Sequence, residues 1–148
     1  MTVRLNPYLN FRDTARPAME LYHSVLGGEL SLHTFAEMHA TDDPAEGGKI
    51  MHGMLEAPGG LVLMAADTPN SMEYTPAAGF SVSLSGDDEE SLRRWWAGLS
   101  EGGAIVMPLE PAPWGDTFGM CVDRFGVSWM VNILGAGTGA AHGTAAGG

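Results

Sequence analysis

Two halves of this 148-residue chain, each about 70 residues long, carry the same order of sequence patterns. That repetition limits the fold more than any other feature. In the first half, Val3–Phe11 has strand character through Leu5, Leu9 and Phe11. Asp13 or Thr14 can cap a helix with Pro17 in its first turn, where a missing N–H is tolerated. Ala18, Leu21, Tyr22, Val25 and Leu26 then keep the helical spacing of one buried face, and Gly27-Gly28 supplies a left-handed stop. Three strand patterns follow at Glu29–Glu37, Lys49–Ala57 and Leu61–Asp67, with an acidic loop at Thr41–Gly48 and the turn Pro58-Gly59-Gly60 between them. The second half repeats the order. Phe80–Ser85 alternates apolar residues with serine, as a half-buried strand does. Asp87 and Asp88 cap a helix whose first turn holds Glu89 and Glu90 and whose buried stripe is Leu92, Trp95, Trp96 and Leu99. Gly102-Gly103 ends it. Strands are then expected at Ala104–Met107, Thr117–Val122 and Val127–Leu134, with a proline-rich loop over Pro108–Pro113.

The implied fold class is α+β, with two strand-helix-strand-strand-strand (βαβββ) modules, 1–70 and 77–134, in one domain spanning 1–134. Residues 135–148 are almost wholly Gly, Ala and Thr and are expected to form a flexible tail, since they have little apolar surface to bury. The tail contains Gly135-Ala136-Gly137-Thr138-Gly139, which looks like a nucleotide loop. With no helix to follow it, nothing aims its amides at a phosphate, and the match is discarded.

Composition excludes several functions. Seven basic and eighteen acidic residues give a net charge of −11, which repels phosphate backbones and argues against nucleic acid as a partner. The same charge keeps the surface hydrated or, on a sharper reading, attracts a cationic ligand. No apolar run approaches the roughly 20 residues needed to cross a bilayer, and the opening residues lack a signal-peptide profile, so no membrane role and a cytoplasmic location are expected. One cysteine, Cys121, leaves neither an internal disulfide nor a thiolate cluster for zinc, and its apolar strand neighbours suggest a buried, inert thiol.

Three stretches carry a family resemblance. The first is Asn6-Pro7-Tyr8-Leu9-Asn10-Phe11, and the second is the helix end Leu21-Tyr22-His23-Ser24-Val25-Leu26-Gly27-Gly28. The third runs from Trp114-Gly115-Asp116-Thr117-Phe118-Gly119 to Asp123-Arg124-Phe125-Gly126-Val127-Ser128-Trp129. Together they resemble the PhnB-like branch of the vicinal oxygen chelate superfamily, which includes glyoxalase, bleomycin-resistance and extradiol-dioxygenase proteins. The resemblance covers Val3 to Ile133. It implies incomplete barrels formed by βαβββ modules around a central cleft, a homodimer, a small-molecule ligand and, in the usual member, a metal held by His and Glu of the first and last strands. The methyltransferase label that sometimes travels with the family finds no support, for want of a nucleotide loop.

The usual ligand positions are located by counting. The first-strand ligand lies about seven residues before the acid that opens the helix, giving Asn6 and Ser81; the last-strand ligand lies four after the hairpin glycine, giving Met64 and Met130. These residues are poor ligands for hard or borderline divalent metals, so neither a metal nor another cofactor is expected there. Strand alternation puts Tyr8 and Asn10 with Asn6, Ser83 and Ser85 with Ser81, and Ser128 and Asn132 with Met130. The expected ligand surface is therefore Asn6, Tyr8, Asn10, Met64, Ser81, Ser83, Ser128 and Met130, with Trp114 as a rim, a lid or a structural plug. His52 is the strongest acid–base candidate, with Glu56 on the same face to orient it; a structural histidine bonded across the sheet is the plainer alternative. His33 and His39 are expected to face solvent. A metal site from His52, Glu56 and His33 or His39 would require the histidines to share a face and a rung, and the sequence assures neither.

The expected function is a metal-independent small-molecule binding protein. The alternatives are a lyase or isomerase using His52 and Glu56 or a metal placed elsewhere, and a non-catalytic dimeric interaction module.

Overall fold

The computed structural model describes residues 3–135, so the expected tail lies almost wholly outside the described residues. The chain divides between Ala77 and Ala78 into two compact units. Each is a four-stranded sheet with a twelve-residue helix packed on one face.

In the first unit, β1 (Tyr8–Phe11), β2 (Glu29–Thr34), β3 (Ile50–Ala57) and β4 (Leu61–Asp67) take the order β1-β4-β3-β2. In the second, β5 (Val82–Gly86), β6 (Ala104–Pro111), β7 (Thr117–Val122) and β8 (Ser128–Ile133) take the matching order β5-β8-β7-β6. The first and last strands of each unit pair in parallel, because the helix carries the chain across the sheet, and all other pairs are antiparallel. The expected eight mainly antiparallel strands and the βαβββ repeat are present.

Helix α1 (Ala15–Leu26) buries Ala15, Ala18, Met19, Tyr22 and Leu26 against Leu9, Phe11, Leu55, Leu63 and Ala65. The buried stripe is rotated from the expected one: Met19 lies at its centre, and Leu21 and Val25 sit half-buried at its margin. Neither Asp13 nor Thr14 caps this helix through its side chain. Asp67, at the end of β4, does so from 52 residues away, accepting Ala15 N–H at 2.9 Å through one oxygen and Ile50 N–H at 2.9 Å through the other. Helix α2 (Pro44–Gly47) is a single turn within the expected loop, capped by Asp43.

In the second unit, α3 (Glu89–Ser100) is capped by Asp88, whose carboxylate accepts from Ser91 N–H at 3.1 Å and from its hydroxyl at 2.7 Å. Leu92 and Leu99 are fully packed, and Trp95 and Trp96 are half-buried. The expected strand Phe80–Ser85 begins at Val82, so Phe80, which the alternation groups with the buried Val82 and Leu84, precedes β5 and is 52% exposed.

The glycine pairs after the helices do more than stop them. A Cβ on Gly28 would lie 2.1 Å from the Glu56 carbonyl oxygen, and one on Gly103 would lie 2.1 Å from the Val122 carbonyl oxygen. Each module thus seats its second strand against its third by removing a side chain at the same topological point. Strand lengths depart from expectation in two places. β1 starts at Tyr8 rather than Val3, with Val3 and Leu5 fully exposed. β6 continues through the proline-rich segment to Pro111, because an edge strand with register breaks tolerates missing N–H groups. Among the described residues, no helix is long and apolar enough to cross a membrane.

Candidate functional site

Each sheet has a helix-covered face and a face turned away from its helix, and strand alternation decides which side chains occupy the second. On the first sheet that open face is built on the rung Tyr8–Met64–Met54–Ser31, read across β1, β4, β3 and β2 from the paired registers. Asn10, His52, Glu56 and His33 share this face, while Leu9, Phe11, Leu55 and Leu63 are buried under α1. On the second sheet the matching rung is Ser83–Met130–Met120–Met107. Ser85, Ser128, Asn132 and Phe118 lie on that face, with Trp129, Val131 and Ile133 buried behind.

The alternation expected for Tyr8 and Asn10, for Ser83 and Ser85, and for Ser128, Met130 and Asn132 is therefore the one present. Asn6 and Ser81 precede their strands. Met64 is registered with Tyr8 and Met130 with Ser83, so each counted first-strand position lies two residues from the partner of its methionine. Asn6 donates locally to the Pro7 carbonyl at 3.3 Å, and Ser81 shares a 2.7 Å hydroxyl–hydroxyl hydrogen bond with Ser128. One amide, one alcohol and two thioethers do not fit the hard or borderline ion that the superfamily's usual centre employs.

The structure separates His52 from Glu56. They share the open face but stand four residues apart on β3, roughly 13 Å at about 3.3 Å per residue, so Glu56 does not orient the ring. Two other groups meet His52 instead. Tyr8 places its ring with centroid 6.2 Å from the imidazole at 39°, and burial pushes its phenol above the ordinary tyrosine range, keeping it a hydrogen-bond donor. His33 is the direct cross-strand partner of His52. Expected merely to face solvent, it is exposed but fixed on the same rung and face. Its place depended on the β2–β3 register, which a loop of unknown conformation left open. His39 lies in the turn beyond β2 with a left-handed backbone, φ 55°, and is not part of this group.

Trp114 is 47% exposed and packs edge-on against Phe118, centroids 5.6 Å apart, so it extends the apolar part of the second sheet's open face. Asp116 and Asp123, the acids of the late motif, are framework residues. Asp116 accepts from the Asn132 amide at 3.0 Å and Gly135 N–H at 2.9 Å. Asp123 accepts from Phe125 and Val127 N–H groups and from the Trp129 indole at 2.9 Å, closing the β7–β8 hairpin onto its core tryptophan. Cys121 is fully buried, and burial, with Asp123 adding to it, pushes its thiol up to about 11. It stays protonated and is no nucleophile.

Comparison with known proteins agrees with this architecture. The sequence model of the Glyoxalase/Bleomycin resistance protein/Dioxygenase superfamily matches residues 4–131. Protein YjdN of Escherichia coli (strain K12) is 30% identical over 141 residues, which is 88% of this chain and 95% of that protein. The crystal structure of protein PA1353 from Pseudomonas aeruginosa is similar at 38% identity and a TM-score of 0.77, covering 90% of this chain and 99% of that one. A PhnB protein from Bacillus cereus is similar at 25% identity and a TM-score of 0.66, covering 89% and 100%.

Proposed function

We propose a function from one premise: this chain belongs to the Glyoxalase/Bleomycin resistance protein/Dioxygenase superfamily. On that premise it is a small-molecule binding protein with no metal at the superfamily's usual positions. The observation that carries this reading is the pair of matched thioether rungs, Met64–Met54 on one sheet and Met130–Met120–Met107 on the other. Thioether sulfurs are polarizable, sit well against aromatic rings and adjust to irregular shapes. Around them stand Tyr8, Asn10, Ser83, Ser128 and Asn132, which give and take hydrogen bonds without bearing charge at neutral pH. Asn6 and Ser81 border the same surfaces, and Trp114 adds an aromatic edge. A neutral molecule with an unsaturated or aromatic body and a few polar groups matches the lining of either face taken by itself.

A thermal-shift panel of such compounds, run in chelator, tests the proposal. The expected result is a saturable shift that persists in chelator and shrinks in Met64→Ser or Met130→Ser. The absence of a shift with every compound tested would favour the dimeric interaction module and overturn the binding reading.

One observation favours a second reading as a lyase or isomerase: the Tyr8 phenol and the His52 imidazole lie together on an open face, as a proton donor and acceptor would. Turnover of a bound compound, lost in His52→Ala with binding retained, would establish it. The proposal includes a homodimer, as family membership implies, and a cytoplasmic location, which suits a chain with one cysteine, in reduced form.

A further inference from the structure

The β2–β3 register brings two imidazoles to one point. His33 and His52 are direct partners in an antiparallel pair, and they lie on the sheet face opposite α1. Directly opposed residues hold their Cβ atoms about 4.5–5.5 Å apart. A first-row metal takes imidazole nitrogen at about 2.0–2.1 Å, so two rings rising from that spacing can converge on a single ion. His33 is exposed and His52 half-buried, so an ion reaches both from solvent.

The local backbone marks the same place. The register breaks immediately beyond this rung: Thr34 pairs with Ile50, and Met51 is left over as a bulge. Bulges add twist and re-aim neighbouring side chains, and they gather beside binding and catalytic positions. The corresponding rung of the second module, counted from its methionine rung, is Glu110–Phe118, which holds no imidazole. The pair therefore belongs to the first module, not to the repeat.

We propose that His33 and His52 together bind one divalent transition metal ion, copper or zinc by ligand type, on the open face of the first sheet. Imidazole suits both, and copper binds more tightly in the ordinary affinity order. Among the described residues no group of three or more His, Cys, Asp or Glu side chains is placed to hold a metal. The protein thus supplies two ligands, and water or a small chelating molecule fills the remaining positions. Tyr8 borders His52 and is placed to hydrogen-bond to such a molecule. The net charge of −11 favours accumulation of cations near the surface. The site is distinct from the superfamily's usual centre, whose positions are Asn6, Met64, Ser81 and Met130 here. It also goes beyond the ligand binding proposed above, which needs no metal.

Titration of the tag-free protein with cupric and zinc salts, followed by calorimetry and, for copper, by electron paramagnetic resonance, tests the assignment. The expected result is one saturable ion per chain, with a copper spectrum showing imidazole nitrogen ligation. His33→Ala and His52→Ala should each weaken binding by more than the ~10–100-fold lost when a mere outer-shell partner is removed. His39→Ala should leave binding unchanged. No saturable binding, or binding that survives either His33→Ala or His52→Ala, overturns the proposal. His33 is exposed, so its variant keeps the test decisive if His52→Ala fails to fold. The probe is the metal alone, so a negative result here leaves the chelator-resistant ligand binding standing.

Discussion

At the scale of single residues, one buried carboxylate ties the first module together. Asp67 is 5% exposed, and its two oxygens separately engage the first N–H of α1 and the first N–H of β3. Helix α1, β3 and β4 meet at this side chain. Asp67→Asn keeps the shape but replaces one acceptor by a donor facing an N–H group. The expected cost is about 1–3 kcal/mol of unfolding free energy, the range for leaving a buried backbone donor unsatisfied. Urea unfolding of the two proteins reads it directly, and equal midpoints would remove Asp67 as the cap. No local pattern announces such a cap: an N-cap is sought immediately before a helix, where Asp13 and Thr14 stand, and a residue 52 positions away becomes one only when the sheet closes. The same reasoning separates His52, legible as an isolated imidazole in a strand, from His33, whose place beside it exists only through register.

At the scale of elements, α3 is capped by a local carboxylate whose titration can be followed. The Ser91 hydroxyl, then the Ser91 N–H, hold the Asp88 carboxyl below the ordinary aspartate range. A depressed folded value means that the cap's stabilisation is present above the unfolded value of about 3.9 and is lost as pH falls through the folded value. The start of α3 should therefore fray on acidification below about pH 4, seen as lost amide-exchange protection there. In Asp88→Asn, which retains an acceptor but does not titrate in this range, the protection of that turn should depend less on pH. Parallel pH profiles would refute the assignment. The strands followed their alternation closely where one face is buried: Leu61–Asp67 and Thr117–Val122 match their expected limits. The failures fall where burial does not govern. Val3–Pro7 reads as strand yet lies ahead of β1, with the Pro7 carbonyl accepting Met64 N–H at 3.1 Å, and Pro108–Pro111 reads as loop yet extends an exposed edge. Hydrophobic period reports burial, and both segments escape it.

At the scale of the whole molecule, the exposed edge of β6 presents Ile105, Val106 and Met107, each about half accessible, beside two prolines and two register breaks. Bulges and prolines discourage indiscriminate strand pairing, while the apolar side chains leave surface suited to a specific partner. The proposed homodimer would meet that need. Light scattering at micromolar concentration should give twice the 15.6 kDa of one chain, and a single-chain mass would count against it. The repeat itself has a further consequence, for it makes each half a reference sample for the other. Features held in both halves, the glycine that admits a carbonyl oxygen and the paired sulfurs of the middle strands, are what the shared architecture and a shared surface chemistry ask for. Features held in one half set it apart from the other: facing imidazoles in the first, and the linked hydroxyls of Ser81 and Ser128 in the second. An exchange that writes Phe118 and Glu110 into the places of His52 and His33 would give the first half the second half's side chains, a matched control for the proposed metal binding, already encoded in the same molecule.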